Sequence, residues 1–275
     1  MFMVNPNLSL ETTFSSLNPI LQQFSPISLT ELNGRGSLQS RFDTKYCFHI
    51  NLLPQLLLHI QHEYWVLSID EQHIMPYETL YFDTPQLECY YKHHNGKANR
   101  YKIRERRYVN TDTCFLEVKF KNNQKRTIKS RSTIAHLTPD LGELDHAFSS
   151  LHLPYGNHDL QPTLWVYYKR ITLLHKTLEE RVTIDLQLTY DIGQKHHEWH
   201  ELVIAEIKQP KQTQQSPIIS FLKNNYLYPS GVSKYCLGMV LLNPHLKNNA
   251  FKPKIQFILK NISKHDDIRQ FVQRY

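Results

Sequence analysis

Charged side chains recur at every second position in three short runs of this chain. Lys102, Arg104 and Arg106 alternate in RYKIRERRY, Glu117, Lys119 and Lys121 in FLEVKFK, and Glu206 and Lys208 in VIAEIKQ. On a β-strand, residues two apart share one face. Each run therefore presents a charged row on one face and an apolar row on the other: Ile103; Leu116, Val118 and Phe120; Val203, Ala205 and Ile207. Rows of cations suit phosphate, because an arginine fork donates two bonds at once to its oxygens. Phosphoryl transfer in particular needs positive charge and a bridging metal more than covalent chemistry from the protein.

The candidate cations are Lys45, Lys102, Arg104, Arg106, Lys119, Lys129, Arg131, Arg170, Arg181, Lys208 and Lys234. They fall on seven expected strands and one helix start. Glu206 and Glu117 are the candidate metal ligands, since hard oxygen donors suit Mn2+ or Mg2+. Each is followed two residues later by lysine, so carboxylate and ammonium share a face. Periodicity alone fits two arrangements, a ladder of ion pairs on a solvated sheet or charged rows lining a closed interior.

The elements that must position these groups are mostly strands. Alternation predicts strands at 41–49, 78–84, 100–108, 113–121, 125–131, 164–173, 179–188 and 198–208. In the first, Arg41, Asp43 and Lys45 lie opposite Phe42, Tyr46 and Phe48; in the fifth, Lys125, Thr127, Lys129 and Arg131 share a face. The run after Asn51 predicts a helix with Asn51 as N-cap, and further helices are expected at 139–152, 216–228, 232–242 and 263–273. KHHNGKAN reads as a turn around Asn95-Gly96. The charges of Glu105 and Arg107 fall on the face opposite Arg104 and Arg106, the expected exterior. Strands grouped without βαβ alternation exclude a doubly wound parallel sheet. The expected architecture is α+β, an eight-stranded antiparallel tunnel β-barrel with flanking helices. Its expected division is a polar N-terminal arm over 1–35, a tunnel domain over 36–245 and a basic C-terminal tail over 246–275.

Composition narrows the function classes. The 275 residues carry a formal charge of +7, which favours anionic partners. Cys47, Cys89, Cys114 and Cys236 are scattered, with no CxxC pair and no zinc spacing, and read as reduced packing residues. The sixteen histidines form no HExxH, and the eight glycines form no phosphate-cradling loop. No nucleophile elbow is present. The start shows no secretory signal and no run is long and apolar enough to span a membrane, so the expected location is cytoplasmic.

A series of short motifs, in order, resembles a family. It runs R-x-D-x-K-Y from Arg41 to Tyr46, TLYFDT from Thr79 to Thr84, K-I-R-x-R-x-Y from Lys102 to Tyr108, LEVK from Leu116, K-x-R from Lys129, YYKR from Tyr167, RVTID from Arg181, E-I-K from Glu206 and SKY from Ser233. The series is similar to the VTC domain, the polyphosphate polymerase domain of the vacuolar transporter chaperone complex and a branch of the triphosphate tunnel metalloenzymes of the CYTH-like group. The similarity covers about residues 35 to 243. It implies a tunnel that binds ATP and a metal ion and moves the γ-phosphate onto a growing polyphosphate chain. Carried over, Lys45, Arg104, Arg106, Lys119, Arg170, Arg181 and Lys234 would grip phosphates, Tyr168 would lie beside the chain, and Glu206 would hold manganese or magnesium. Lys102, Lys129, Arg131 and Lys208 join them as substrate-binding candidates. One helical turn before Lys234, where the family can carry another basic residue, this chain has Gly231. With no sensing domain and no spans beside it, the chain reads as a stand-alone, bacterial version.

Two other functions share the pattern. A triphosphatase of the same superfamily would use the same charges, although hydrolytic relatives usually show ExExK in the first strand, where this chain reads RFDTKY. A non-catalytic module binding polyphosphate or RNA is the third reading, and no RNA-recognition signature is visible. The expected partners are therefore ATP and polyphosphate, without nucleic acid and without a membrane span.

Overall fold

The computed structural model describes residues 15–35, 42–124, 126–139, 146–155, 159–210 and 216–262. Eleven strands join in a single sheet: β1 (Ser25–Ile27), β2 (Phe42–His49), β3 (Tyr64–Leu67), β4 (Met75–Asp83), β5 (Arg100–Tyr108), β6 (Thr113–Lys121), β7 (Thr127–Ile134), β8 (Gln161–His175), β9 (Arg181–Ile192), β10 (Lys195–Trp199) and β11 (Leu202–Gln209). The helices are α1 (Leu17–Leu21), α2 (Leu29–Arg35), α3 (Leu53–Ile60), α4 (Glu88–His94), α5 (His146–His152), α6 (Pro217–Asn224), α7 (Lys234–Leu242) and α8 (Lys252–Ile262). The expectations for Arg41, for Lys125 and for a helix at 263–273 lie outside the described residues.

The eight strands expected from alternation form the tunnel wall, in the order β2-β11-β9-β8-β4-β5-β6-β7 with every neighbour antiparallel. The pairing path ends at β2 and β7, which leaves a seam between these two edge strands. Three shorter strands extend it: β1 pairs parallel to β3, β3 pairs with β8, and β10 pairs with β9. The expected strand 198–208 is divided, because the chain turns at His200–Glu201 between β10 and β11. Two local expectations shift. Asn51 is not the helix cap; a 3-10 turn over Ile50–Leu52 precedes α3, and the Asn51 N–H donates to the side chain of His49 at 3.1 Å. Lys92, His93 and His94 end α4 instead of sitting in a turn, which begins at Asn95-Gly96 with Gly96 at φ +66°.

Two apolar layers hold the wall from outside. Tyr46, Phe48, Val182, Ile184, Leu186, Val203, Ala205 and Ile207 face outward and pack under α1, α3 and α6. On the other side Leu80, Phe82, Ile103 and Leu116 form a smaller cluster with Leu160. The inner face is split. One end is filled by α7, whose Tyr235, Cys236, Met239 and Val240 pack with Leu164, Val166, Leu188, Tyr190 and Ile204. The other end carries the charges. A bulge makes this split possible: the β8–β9 register shifts between Tyr167 and Lys169, and opposite it Gln187 adopts a left-handed φ of 49°. The extra residue reverses the alternation along β9, so Asp185 before it and both Leu188 and Tyr190 after it look inward.

Three buried contacts fix α7 and the wall. Asp83, fully buried, accepts from the N–H groups of Thr84, Cys89 and Tyr90 at 2.8–2.9 Å and from the Tyr235 hydroxyl at 2.6 Å. It thus caps α4 and ties α7 to β4. Gly238 lies against the inner wall so closely that a Cβ there would sit 2.4 Å from Cδ1 of Tyr190 and 2.8 Å from Cδ2 of Leu164. Glu105 lies on the outer face of the wall as expected but is covered there and fully buried, and its Oε2 accepts the Thr138 N–H at 2.7 Å. Burial pushes its carboxyl up to about 7, against the smaller opposing effect of the Thr138 N–H.

Two outcomes follow. Gly238→Ala adds a methyl where none fits, and overpacking outweighs the gain in helix propensity, with a net loss of about 1–2 kcal/mol. Thermal unfolding measures it, and an unchanged midpoint would show that α7 is free to shift. Glu105 is held protonated in the folded state above its ordinary value of 4.5, so the folded state binds the extra proton between about pH 4.5 and 7. Stability should fall as pH rises through that window. Glu105→Gln should flatten the slope and stabilise the neutral-pH protein by on the order of 2 kcal/mol, read from urea unfolding at pH 5 and pH 7.

Candidate functional site

The charged end of the interior is a cavity of about 570 Å3. Its lining includes eleven of the sequence's candidate cations, Lys45, Lys102, Arg104, Arg106, Lys119, Lys129, Arg131, Arg170, Arg181, Lys208 and Lys234, and one carboxylate, Glu206. The register explains the convergence. Across β5, β6 and β7, Lys102, Lys119 and Lys129 form one rung and Arg104, Glu117 and Arg131 the next. Across β9, β11 and β2, Thr183, Glu206 and Lys45 form a rung beside Arg181, Lys208 and Asp43. Antiparallel pairing thus sets like charges side by side, an arrangement that costs stability unless counter-charge is supplied.

Three internal carboxylates supply part of it. Glu117 is fully buried behind the lining. Its Oε2 lies 2.5 Å from NH2 of Arg104 and 3.9 Å from NH1 of Arg106, and its Oε1 pairs with Lys129. Asp185 receives a bidentate fork from Arg170, Nε to Oδ1 at 2.6 Å and NH2 to Oδ2 at 2.9 Å, and also pairs with Lys234. Glu206 lies 2.6 Å from Lys208, which is 3.9 Å from Asp43. Burial alone would raise all three carboxyls. Arg104 and Arg106 at Glu117, Arg170 and Lys234 at Asp185, and Lys45 and Lys208 at Glu206 hold each below the ordinary range.

The lysines show the residual imbalance. Burial pulls Lys119, Lys208 and Lys234 down from the ordinary lysine value, and neighbouring cations add to it. Lys102 falls to about 8, chiefly through burial and then through Lys45 and Arg104, although its Nζ donates to Ser233 Oγ at 3.0 Å. Lys45 donates to the Val232 carbonyl at 3.2 Å. Positive charge in this interior exceeds what the protein itself neutralises.

Aromatic rings form one side of the site. Tyr168 is 2 % exposed, stacks on Tyr77 at 5.1 Å, and lies under the guanidinium groups of Arg106 and Arg170 and the Lys234 ammonium, at 5.7, 5.2 and 4.8 Å from its centroid. Its buried hydroxyl has no hydrogen-bond partner among the described residues. Rings under cations hold the guanidinium planes without consuming their donors. Of the sequence candidates, Tyr168 and Glu117 do not line the cavity; they stand directly behind side chains that do. Glu117 differs from the expectation for a metal ligand, because both of its oxygens are committed to cations.

Sequence reasoning missed Asp185, Tyr77, Tyr81 and Thr183. Asp185 stands in RVTID two positions beyond Thr183 and four beyond Arg181, so its shared face was readable. Tyr81 lines the cavity, and its hydroxyl accepts from NH1 of Arg104 at 3.3 Å. Thr183 lines the cavity between Arg181 and Asp185. No group of three or more His, Cys, Asp or Glu side chains converges to hold a metal among the described residues. A single carboxylate in the cavity lining fits a hard divalent ion only when phosphate oxygens complete its shell, a habit of Mg2+.

Among solved structures, a candidate adenylate cyclase from Vibrio parahaemolyticus is similar at 15% identity and a TM-score of 0.43, over 72% of this chain and 99% of that one. HpAC1 from Hippeastrum, a candidate adenylyl cyclase described as having a dominant triphosphatase activity, is similar at 14% identity and a TM-score of 0.44, over 71% and 93%. No curated protein sequence matches. No helix among the described residues is long and apolar enough to cross a membrane. The model of the VTC domain matches residues 40–243, most of the chain, and on that match the chain belongs to the VTC domain family.

Proposed function

We propose that the cavity is the active site of a metal-dependent polyphosphate polymerase, which transfers the γ-phosphoryl group of ATP to the end of a polyphosphate chain. The observation that carries this reading is the convergence of eleven cations and a single carboxylate on one cavity. A terminal phosphate oxygen of the chain attacks the γ-phosphorus, the bond from that phosphorus to the β,γ-bridging oxygen breaks, and ADP leaves with the electron pair. The attacking oxygen is already an anion, so no general base is required. Water, by contrast, must lose a proton. Glu206, the only carboxylate lining the cavity among the described residues, is held well below the ordinary range by Lys45 and Lys208 and is a weak base. That supports transfer over hydrolysis.

Each residue has a task in this reading. Arg104 and Arg106, braced by Glu117, and Arg170, braced by Asp185, present guanidinium groups at fixed angles to the phosphate oxygens. Such pre-set donors stabilise charge developing on the transferring group without reorganising. Lys45, Lys119, Lys129, Lys208 and Lys234 compensate the chain's charge, with Arg131 and Arg181 beside them. Tyr168 keeps Arg106, Arg170 and Lys234 apart and aligned. Glu206 would hold Mn2+ or Mg2+ together with phosphate oxygens, and the ion would supply Lewis-acid neutralisation of the triphosphate.

Purified protein given ATP and Mn2+ should release ADP and a long polyanion. Free phosphate as the sole product would assign the cavity to a triphosphatase, and tight polyanion binding without turnover would assign it to a binding module. Glu206→Gln should lower turnover by about 10²–10³-fold while retaining polyanion affinity.

Affinity should also follow pH. The ligand-free Lys102 loses its proton above about pH 8, so binding an anion there requires proton uptake. Affinity for tripolyphosphate should decline above that point, by at most about tenfold per pH unit. Lys102→Arg keeps the charge and should flatten the decline, measured by calorimetric titration from pH 7 to pH 10. An equal decline in both proteins would remove Lys102 from the binding set.

A further inference from the structure

Positive charge continues past the cavity. Residues 230–233 form a strap over β2: the Ser230 N–H donates to the Lys45 carbonyl at 2.7 Å, and the Val232 carbonyl accepts from Lys45 Nζ at 3.2 Å. Ser233 caps α7 and accepts from Lys102 Nζ. Between Ser230 and Val232 stands Gly231. Among the described residues, the one group near its missing Cβ is the ammonium of Lys254, 3.6 Å from where that atom would lie. Lys254 comes from α8, whose Ile255, Ile258, Leu259 and Ile262 are buried in the same core as Val232. The helix is therefore anchored, and Lys254 stands exposed over the strap.

A second observation marks the same place. His93, at the end of α4, has a buried Nδ1 without a hydrogen-bond partner among the described residues. Burial, and then Lys102, Arg100, Lys254 and Lys45, push its imidazole down to about 2, so the ring stays neutral. Lys45 and Lys102 line the cavity, whereas Arg100 and Lys254 do not. Arg100 precedes Lys102 by two residues on β5 and so shares its face, one step outside the cavity lining.

We propose that Lys254, with Arg100, forms an outer subsite that holds the part of a polyphosphate chain too long for the cavity, with Gly231 leaving the space for the α8 ammonium. The subsite rests on the proposed function for its ligand class, and it makes the protein select chains by length. Short condensed phosphates fill the cavity alone and do not reach Lys254. Long ones gain two more cations, and a chain held there is retained between successive additions.

Binding without ATP or metal tests this apart from turnover. Tripolyphosphate and a polyphosphate of tens of phosphates are titrated into the wild-type protein and into Lys254→Ala. Lys254 is exposed and its removal leaves no cavity in the core. Affinity for the long chain should fall about three- to fivefold, with its logarithmic salt slope shallower by about 1. Affinity for tripolyphosphate should not change. Lys254→Arg should restore long-chain affinity, and so should Gly231→Lys placed in the Lys254→Ala protein, because it returns an ammonium to the same gap from the strap. Equal losses for both ligands, or none for either, overturn the subsite while leaving the proposed polymerase intact. An effect seen with a single-stranded oligonucleotide but not with polyphosphate overturns it in favour of nucleic acid. Failure of the wild-type protein to bind either phosphate overturns subsite and proposed function together.

Discussion

Like charges held close together away from water govern this molecule. Two unit charges about 4 Å apart interact several times more strongly in a protein interior than in bulk water, and here cations occupy adjacent rungs of the same strands. Glu117, Asp185 and Glu206 offset part of that repulsion from within. The remainder appears as lysines drawn below their ordinary proton affinity. An anion entering the cavity completes a charge balance that the fold leaves open.

Such an interior cannot hold a sheet together, so cohesion comes from elsewhere. The outward faces of the same strands are apolar and lie under helices, and α7 closes the other end of the interior with side chains of the kind found in any core. The bulge at Gln187 lets one strand serve both ends, presenting Asp185 to the charged half and Tyr190 to the apolar half. Asp83, although it belongs to a motif shared with the family, touches no cavity group. It joins α4, α7 and β4, and so sets where Lys234 begins.

The sequence made the wall legible because period-two alternation is strong when one face is charged and the other apolar. All eight wall strands were visible this way, and Lys45, Arg104, Arg170 and Glu206 could be assigned to common faces. Whether those faces looked inward was not readable, since a solvated ladder has the same period; the position of the helices decides it. Glu105 was assigned to the outer face of the tunnel, where it lies, but its burial was not readable, because residues around Thr138 cover it. Asp185 was overlooked although its spacing from Arg181 showed it, and the short strands β1, β3 and β10 were missed because three to five residues give too few alternations to count. The parity switch at Gln187 has no sequence signal, as a left-handed glutamine follows from tertiary packing alone.

The contact at Gly238 ties together positions far apart in the chain. Nothing larger than hydrogen fits between α7 and the rings and methyls of Tyr190 and Leu164. In related chains, a methyl or more at the position of 238 should be accompanied by a smaller residue at the position of 190 or 164. These three sites, none of which lines the charged cavity, are expected to drift through evolution as a coupled triplet, with the placement of the Lys234 ammonium as the property that selection preserves.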